Sequence, residues 1–234
     1  MRVLSWNLYH GRALIPAHRP LLDEFAAALD GFAWDVALLQ EAPPRWFREL
    51  CRRTRSNGVR VLTSRNWLPP LQGRLADLAP DLIKSWEGGS NQILVRAPGR
   101  VTEHRRLALA WRPEQRRMQW ARLESGVCIA NLHASAGLPG RAATEVLLAA
   151  QAAIDWSGSD PLVFGGDFNL RPARQPEPFA ELRERFGLGE PTGPRAIDHL
   201  LVRGLRVVSP PRQLEPDARN GLSDHAPVLA EFLR

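Results

Sequence analysis

The stretch VFGGDFNL, residues Val163–Leu170, joins a short apolar run to two glycines, an aspartate and an asparagine. Apolar runs of this length that stop at turn-forming residues are typical of buried strands. The stretch therefore predicts a strand that ends at Asp167 and Asn169, whose polar side chains no hydrophobic core requires. Because glycine has no Cβ, we expect Gly165 and Gly166 to leave room for a bulky anion beside that strand end.

Similar short apolar runs recur on both sides of this stretch. They predict strands at RVLSWNL, VALLQE, VRVLTS, NQILVR, MQWARLE, GVCIANLHA, AIDHLLV and SDHAPVLAEFL. Apolar residues at helical spacing predict helices at residues 20–31 and 141–156, and shorter helices at RWFRELCRRT and FAELRERFG. This mixture favours an α/β sandwich in which two sheets pack face to face and helices cover the outside.

Segments rich in proline separate several of these elements. WLPPLQGRLADLAPDL, RPARQPEP and SPPRQLEP predict surface loops, where residues that shape a substrate site are often found. No segment has the composition of a linker or an internal repeat, and 234 residues fit one layered domain. We therefore expect residues 1–234 to form a single domain.

The composition is that of an ordinary globular protein with a basic bias. The chain is 44% hydrophobic and 24% charged, with a formal net charge of +6 and a pI of about 10.7. The positive charge favours an anionic partner, either nucleic acid or a phosphorylated small molecule. No apolar run of membrane-spanning length and no signal-peptide pattern occurs, and two cysteines do not make a disulfide framework. We expect a cytoplasmic protein without a membrane span or an obligate protein partner.

Polar residues recur where the predicted strands begin or end. Taken singly, each has a structural explanation, such as an asparagine in a turn, a solvated carboxylate or a hydrogen-bonded histidine. Their shared position at strand boundaries indicates that they converge on one end of the sandwich. The set contains four carboxylates, two asparagines and two histidines: Asn7, Glu41, His133, Asp167, Asn169, Asp198, Asp224 and His225.

This combination of side chains suits the hydrolysis of a phosphate ester with a hard divalent cation. Mg²⁺ binds oxygen ligands and keeps several waters, so few carboxylates are needed. A carboxylate beside a carboxamide, such as Asp167 with Asn169, can place an attacking water. A histidine held by an aspartate can transfer a proton near neutral pH. We expect Asp198 to contact His225, and His199 to point to the opposite face of its strand.

The series SWN, LLQE, NLHAS, GGDFN, IDH and SDHAPV, in this order from Trp6 to Val228, resembles the endonuclease/exonuclease/phosphatase superfamily. The resemblance implies a four-layer α/β sandwich with two central mixed sheets flanked by helices, and a site at one end of the sheets that depends on Mg²⁺ or Mn²⁺. It implies that Glu41 is the principal metal ligand, that Asn7 supports the metal or phosphate, and that Asp224 is a further metal-site carboxylate.

The same resemblance implies roles for the remaining polar residues. Asp167 would orient the nucleophilic water, and Asn169 would hold the phosphate or Asp167. His225 would contact the scissile phosphate as general base or charge stabiliser, with Asp198 fixing its ring. His133 would occupy a place where the deoxyribonuclease and phosphatase branches carry a histidine, and would contact substrate.

Two positions depart from the repair enzymes of this superfamily. Exonuclease III-type members usually have aspartate two residues after the first asparagine, and they tend to carry tyrosine in the strand of NLHAS. Here these places hold Tyr9 and His133. Both differences disfavour an abasic-site repair enzyme and leave the deoxyribonuclease-like and phosphatase-like branches open.

Three functions compete on this basis. The leading hypothesis is a metal-dependent phosphodiesterase that cleaves nucleic acid, in which arginines of a basic surface, among them Arg116 and Arg117, contact the phosphate backbone and Trp67 stacks on a base. The alternative is a phosphatase or phosphodiesterase for a phosphorylated small molecule or lipid headgroup. A catalytically inactive binding module is disfavoured because Glu41, Asp167 and His225 are all present.

Overall fold

The computed structural model describes residues 1–63, 88–112 and 114–234. The strands in these residues form two mixed sheets. One sheet, in the order β10–β11–β1–β2–β4–β3, consists of β1 (Arg2–Asn7), β2 (Val36–Ala42), β3 (Ser56–Leu62), β4 (Ser90–Arg96), β10 (Arg206–Gln213) and β11 (Val228–Leu233). The other, in the order β5–β6–β7–β8–β9, consists of β5 (Val101–Ala110), β6 (Arg116–Leu123), β7 (Cys128–His133), β8 (Leu162–Asp167) and β9 (Asp198–Arg203).

Four layers result because each sheet is apolar on both faces. Between the sheets lies a core of buried aliphatic and aromatic side chains that includes Leu38, Ile93, Ile129, Val163 and Phe232. Helices cover the two outer faces, as the sequence analysis expected for the α/β sandwich, and the four-layer fold is confirmed. The helices are α1 (Leu22–Gly31), α2 (Phe47–Arg53), α3 (Pro139–Ser157) and α4 (Pro176–Glu184).

The longest of these helices, α3, shows why the outer layers form. It begins at Pro139, where the missing N–H of proline costs nothing because that donor has no partner in the helix. Its buried residues Ala142, Val146, Ala149 and Ala153 follow the spacing of one helical face and pack on the five-stranded sheet. In the part of the chain that the structure describes, no helix has the length and apolar character to cross a membrane.

Two strands were not predicted from the sequence, and both lie at sheet edges. β5 carries a continuous run of polar and charged residues at 102–106 instead of an apolar run, and much of it is exposed. β10 includes Pro210 and Pro211, in a segment predicted as a loop, and its pairing with β11 shifts register nearby. An edge strand needs only one row of backbone hydrogen bonds, so it tolerates prolines that a central strand would exclude.

Strand directions bring the polar strand ends to one end of the sandwich, which we call the mouth. β1 pairs in parallel with β2, and β7 pairs in parallel with β8, so their carboxyl ends lie together in each sheet. β9 is antiparallel to β8, and β11 is antiparallel to β1, so these strands begin at the mouth. In register, His133 lies opposite Asp167, and Asp167 lies opposite Asp198.

Candidate active site

Asn7 and Asp167 join the two sheets at the mouth. Both residues are buried at strand ends, and Asn7 Nδ2 donates a hydrogen bond of 3.0 Å to Asp167 Oδ2. The amide oxygen of Asn7 accepts from the backbone N–H of Tyr9 at 2.9 Å, which fixes the orientation of the amide. The Asp167 carboxylate is therefore held from the facing sheet.

Asn169 completes the support of Asp167 from the same sheet. It adopts a left-handed conformation with φ of 52°, which asparagine tolerates better than most residues. Its backbone N–H donates to Asp167 Oδ1 at 3.0 Å, and its side-chain Nδ2 donates to the carbonyl of Ala134 at 3.0 Å. Burial, together with the charge of Asp198, raises the pKa of Asp167 to about 7. A carboxyl group with that pKa exchanges protons near neutral pH.

The two glycines before Asp167 do not clear space for an anion, so that expectation is wrong. A Cβ on Gly165 would lie 2.7 Å from the carbonyl oxygen of His199 and 3.2 Å from Leu38 in the facing sheet. A Cβ on Gly166, where φ is 128°, would lie 2.0 Å from the carbonyl oxygen of Leu132. The glycines instead allow the backbone of β8 to approach its neighbours closely.

His225 lies in contact with Asp198. His225 Nδ1 is 2.8 Å from Asp198 Oδ2, the contact that the sequence analysis expected, and His225 Nε2 is 3.9 Å from Asp167 Oδ2. The backbone is fixed as well, since the indole N–H of Trp6 donates to the His225 carbonyl at 3.0 Å and Ser223 Oγ accepts from the His225 N–H. Burial lowers the pKa of His225, but the Asp198 carboxylate outweighs burial and raises that pKa to about 10. His225 is therefore an imidazolium at neutral pH.

His199 points away from this pair, as strand alternation predicts. Its Nε2 lies 3.1 Å from the carbonyl oxygen of Leu170, and its ring contacts Phe168 and Phe179. Burial lowers the pKa of His199 to about 4, so the ring is neutral. His199 thus supports the loop after β8 and is separate from the reacting groups.

Glu41 lies between two histidines on the other side of the mouth. It has a left-handed backbone with φ of 47°, and its side chain is 21% exposed. Glu41 Oε2 lies 3.1 Å from His10 Nε2, and Glu41 Oε1 lies 3.8 Å from His133 Nε2. His133 Nε2 is also 3.5 Å from Asp167 Oδ2, so His133 stands between the two carboxylates.

Arg116 was interpreted from the sequence only as part of a basic surface, yet it contacts His133. Its Nη1 lies 2.9 Å from His133 Nδ1, and its Nη2 lies 2.8 Å from a carboxylate oxygen of Glu114. Burial and the charge of Arg116 hold the pKa of His133 well below its usual value. His133 is thus a neutral ring at the mouth. His10 was also missed, although its position three residues after Asn7 was a usable signal.

The donor set fits a divalent cation. Oxygens of Asp167 and Asp198 and a ring nitrogen of His225 lie within 4.8 Å of one another, and Asp198 Oδ1 is buried with no partner among the described residues. Because the protonated ring of His225 has no lone pair for a metal, the carboxylates at the mouth are the groups that a cation would bind. Carboxylate oxygens of this kind suit Mg²⁺ or Mn²⁺. Asp224 is more peripheral, with a side chain 45% exposed and Oδ1 3.9 Å from His225 Nε2. Trp67, predicted to contact substrate, lies outside the described residues.

Solved structures share the fold at low sequence identity. An endonuclease/exonuclease/phosphatase protein from Bacteroides vulgatus is 17% identical, with a TM-score of 0.73 over 99% of this chain and 97% of that chain. The human nocturnin catalytic domain with a bound sulfate anion is 18% identical, with a TM-score of 0.72 over 99% and 94%. A Bacteroides thetaiotaomicron mannosyl-6-phosphatase is 16% identical, with a TM-score of 0.69 over the full length of both chains. No curated protein sequence matches the chain.

A family assignment rests on the sequence itself. The sequence profile of the Endonuclease/Exonuclease/phosphatase family matches residues 4–225. This range spans both sheets and includes every residue described at the mouth, from Asn7 to His225. The chain therefore belongs to the Endonuclease/Exonuclease/phosphatase family.

Proposed function

We propose that the protein is a phosphodiesterase that depends on Mg²⁺ or Mn²⁺ and cleaves nucleic acid. Family membership supports a phosphoesterase hydrolase. The observation that carries the proposal is the Asp167 carboxylate, held by Asn7 and Asn169 and lying 3.9 Å from the charged ring of His225. The proton acceptor Asp167 and the positively charged ring of His225 thus face the same small space at the mouth.

The chemistry follows from these groups. Asp167, with its pKa raised to about 7, orients the attacking water and accepts its proton. His225 donates from Nε2 to a phosphate oxygen, and Asp198 keeps the ring charged and oriented. A divalent cation, held by Glu41 with Asn7 and Asp224 as further donors, would supply charge neutralisation at the phosphate.

His133 and Asn169 are proposed to contact the substrate phosphate. His133 Nε2 lies 3.5 Å from Asp167 Oδ2, so a phosphate placed beside Asp167 is within reach of this neutral ring. Asn169 lies in the loop directly after β8, and its backbone already fixes Asp167. Both side chains are neutral, so they would bind the phosphate through hydrogen bonds of suitable direction and distance and not through charge.

The surface around the mouth supports a nucleic-acid substrate. The hairpin between β5 and β6 reaches the mouth beside His133, and its Trp111 is 61% exposed. The guanidinium of Arg117 lies 5.7 Å from the centre of the Trp111 ring. An exposed indole next to a cation can stack on a base and contact its phosphate. Exposed arginines in this hairpin and in the loops that follow β8 and precede β9 add to the positive surface: Arg112, Arg171, Arg174 and Arg195.

One assay panel tests this function. The purified protein is incubated with Mg²⁺ or Mn²⁺ and with plasmid, single-stranded DNA, RNA and a set of phosphomonoesters. We expect cleavage of a polymer, with chelator stopping the reaction. The mannosyl-6-phosphatase has a similar fold, and its name specifies a sugar phosphate, which is a phosphomonoester. Release of phosphate from such monoesters, with no cleavage of DNA or RNA, would replace the proposal with the small-molecule alternative.

Replacing Glu41 with glutamine should raise the Mn²⁺ concentration needed for half-maximal activity at least tenfold. The substitution keeps the shape of the side chain but removes the charge that binds a hard cation. Activity is measured across a Mn²⁺ titration, with Glu103→Gln as the control because Glu103 pairs with Arg105 and Arg122 away from the mouth. An unchanged titration for Glu41→Gln would remove Glu41 from the metal site.

Replacing Trp111 with alanine should raise the KM for a single-stranded oligonucleotide about 5- to 100-fold, because one base loses its stacking partner. The rise is measured at two salt concentrations, since binding through phosphates weakens with salt. Leu148→Ala is the control, because Leu148 is an exposed apolar residue on α3. A KM within twofold of the wild-type value would contradict a substrate contact at Trp111.

A further inference from the structure

The contact between His10 and Glu41 has no part in the function proposed above. His10 Nε2 lies 3.1 Å from Glu41 Oε2, and both side chains are only 21% exposed. A proton on His10 Nε2 would face this carboxylate and be attracted to it. His10 Nδ1 is buried and has no hydrogen-bond partner among the described residues. Among the residues that the structure describes, the nearest polar partner of the ring is therefore Glu41.

The backbone places His10 beside Glu41 firmly. The N–H of Leu8 donates to the carbonyl of Gln40 at 2.8 Å, which fastens the start of the turn to the residue before Glu41. The N–H of Gly11 donates to the carbonyl of Leu8 at 2.8 Å and closes the turn. A short turn fastened at both ends leaves the His10 ring little freedom to leave the carboxylate.

The conformation of this turn is unfavourable for the residues that form it. Tyr9, His10 and Glu41 all have φ near 50°, a region that residues with a Cβ rarely adopt. Gly89 packs against the pair, since a Cβ built on it would lie 3.5 Å from His10 Cε1 and 3.6 Å from Glu41 Cα. A side chain kept at a strained and closely packed position is expected to serve the site that it contacts.

The contact with His10 also affects the other oxygen of the Glu41 carboxylate. With Oε2 held by His10, rotation of the carboxylate is restricted, and Oε1 is the oxygen on the side of His133, 3.8 Å away. We propose that His10 is a positioning residue, which packs Nε2 against Glu41 Oε2 and so orients the other oxygen of this carboxylate toward a divalent cation at the mouth. This inference rests on the metal dependence of the proposed function.

The test compares two substitutions that differ in their reach. His10→Asn suits the left-handed backbone, but its side chain is too short to contact Glu41. His10→Gln can place an amide N–H near the position of Nε2 and restore the contact with Glu41. Mn²⁺ binding is measured without substrate on metal-free protein, by the rise of the melting temperature with added Mn²⁺ and by the electron paramagnetic resonance signal of free Mn²⁺.

We expect His10→Asn to raise the Mn²⁺ dissociation constant about 10- to 100-fold, and His10→Gln to stay within about threefold of the wild type. Equal binding by wild type and His10→Asn would overturn the positioning role while leaving the proposed function in place. Equal loss in both variants would also overturn it, because the imidazole itself would then be required. A wild-type protein that binds no Mn²⁺ would instead overturn the metal dependence on which the inference rests.

Discussion

Replacing His225 with asparagine is expected to lower turnover about 10²- to 10⁴-fold while leaving the melting temperature near that of the wild type. The amide nitrogen of asparagine can take the place of Nδ1 and donate to Asp198, which the imidazole contacts at 2.8 Å. No group then remains at the position of Nε2, the nitrogen that faces Asp167. Turnover and thermal unfolding are measured on the same preparation.

A second substitution separates catalysis from folding. His225→Ala leaves the Asp198 carboxylate buried without its cation, which should cost about 2 kcal/mol or more of stability. His104→Asn is the control, because His104 is an exposed histidine in β5. If His225→Asn cleaves substrate at near the wild-type rate, or loses activity only in proportion to unfolded protein, His225 has no chemical role.

Replacing Asp167 with asparagine should abolish most turnover and, at the same time, stabilise the metal-free protein. Burial and the charge of Asp198 raise the pKa of Asp167 from 3.8 to about 7, so ionised Asp167 is unfavourable in the folded state. A neutral amide of the same shape avoids this cost and can still accept one hydrogen bond, from Asn7 or from Asn169. We expect a gain of about 2 kcal/mol above pH 7.

The pH dependence of that gain identifies its cause. Below about pH 4 the carboxyl group is protonated in the folded and the unfolded chain alike, so the two proteins should unfold alike. Between about pH 4 and 7 only the unfolded chain releases its proton, and the difference should grow until the folded group ionises. Asp155→Asn, on the exposed face of α3, is the control. A gain that is the same at every pH, or a loss of stability at pH 8, would contradict this account.

The central strands and the strand-end residues could be predicted because both depend on local patterns. β1, β2, β7 and β8 are apolar runs that stop at polar residues, and parallel pairing brings their carboxyl ends to the same edge. The contact between His225 and Asp198 followed from the same reasoning, since each lies where a strand begins at the mouth. Their catalytic roles stay predictions until the variants are measured.

The features of the site that could not be predicted from the sequence depend on contacts between distant parts of the chain. The sequence does not show that Arg116 reaches His133, or that His10 reaches Glu41, because these pairs meet only when the strands have paired. The prediction that Gly165 leaves room for an anion was wrong for the same reason. A side chain at Gly165 would collide with the backbone of β9 and with Leu38 in the facing sheet. A local sequence pattern shows neither of these neighbours.

Residues with a left-handed backbone conformation at the mouth limit which residues a sequence-design procedure can choose there without loss of function. Tyr9, His10, Glu41, Asn169 and Ser223 all have φ between 47° and 58°. A design procedure that chose residues from backbone preference would keep asparagine at one of these places and would put glycine or asparagine at the others. The redesigned chain would gain stability and lose Glu41 and His10 together. A redesign of this protein should therefore fix these five identities first and optimise the rest of the chain around them.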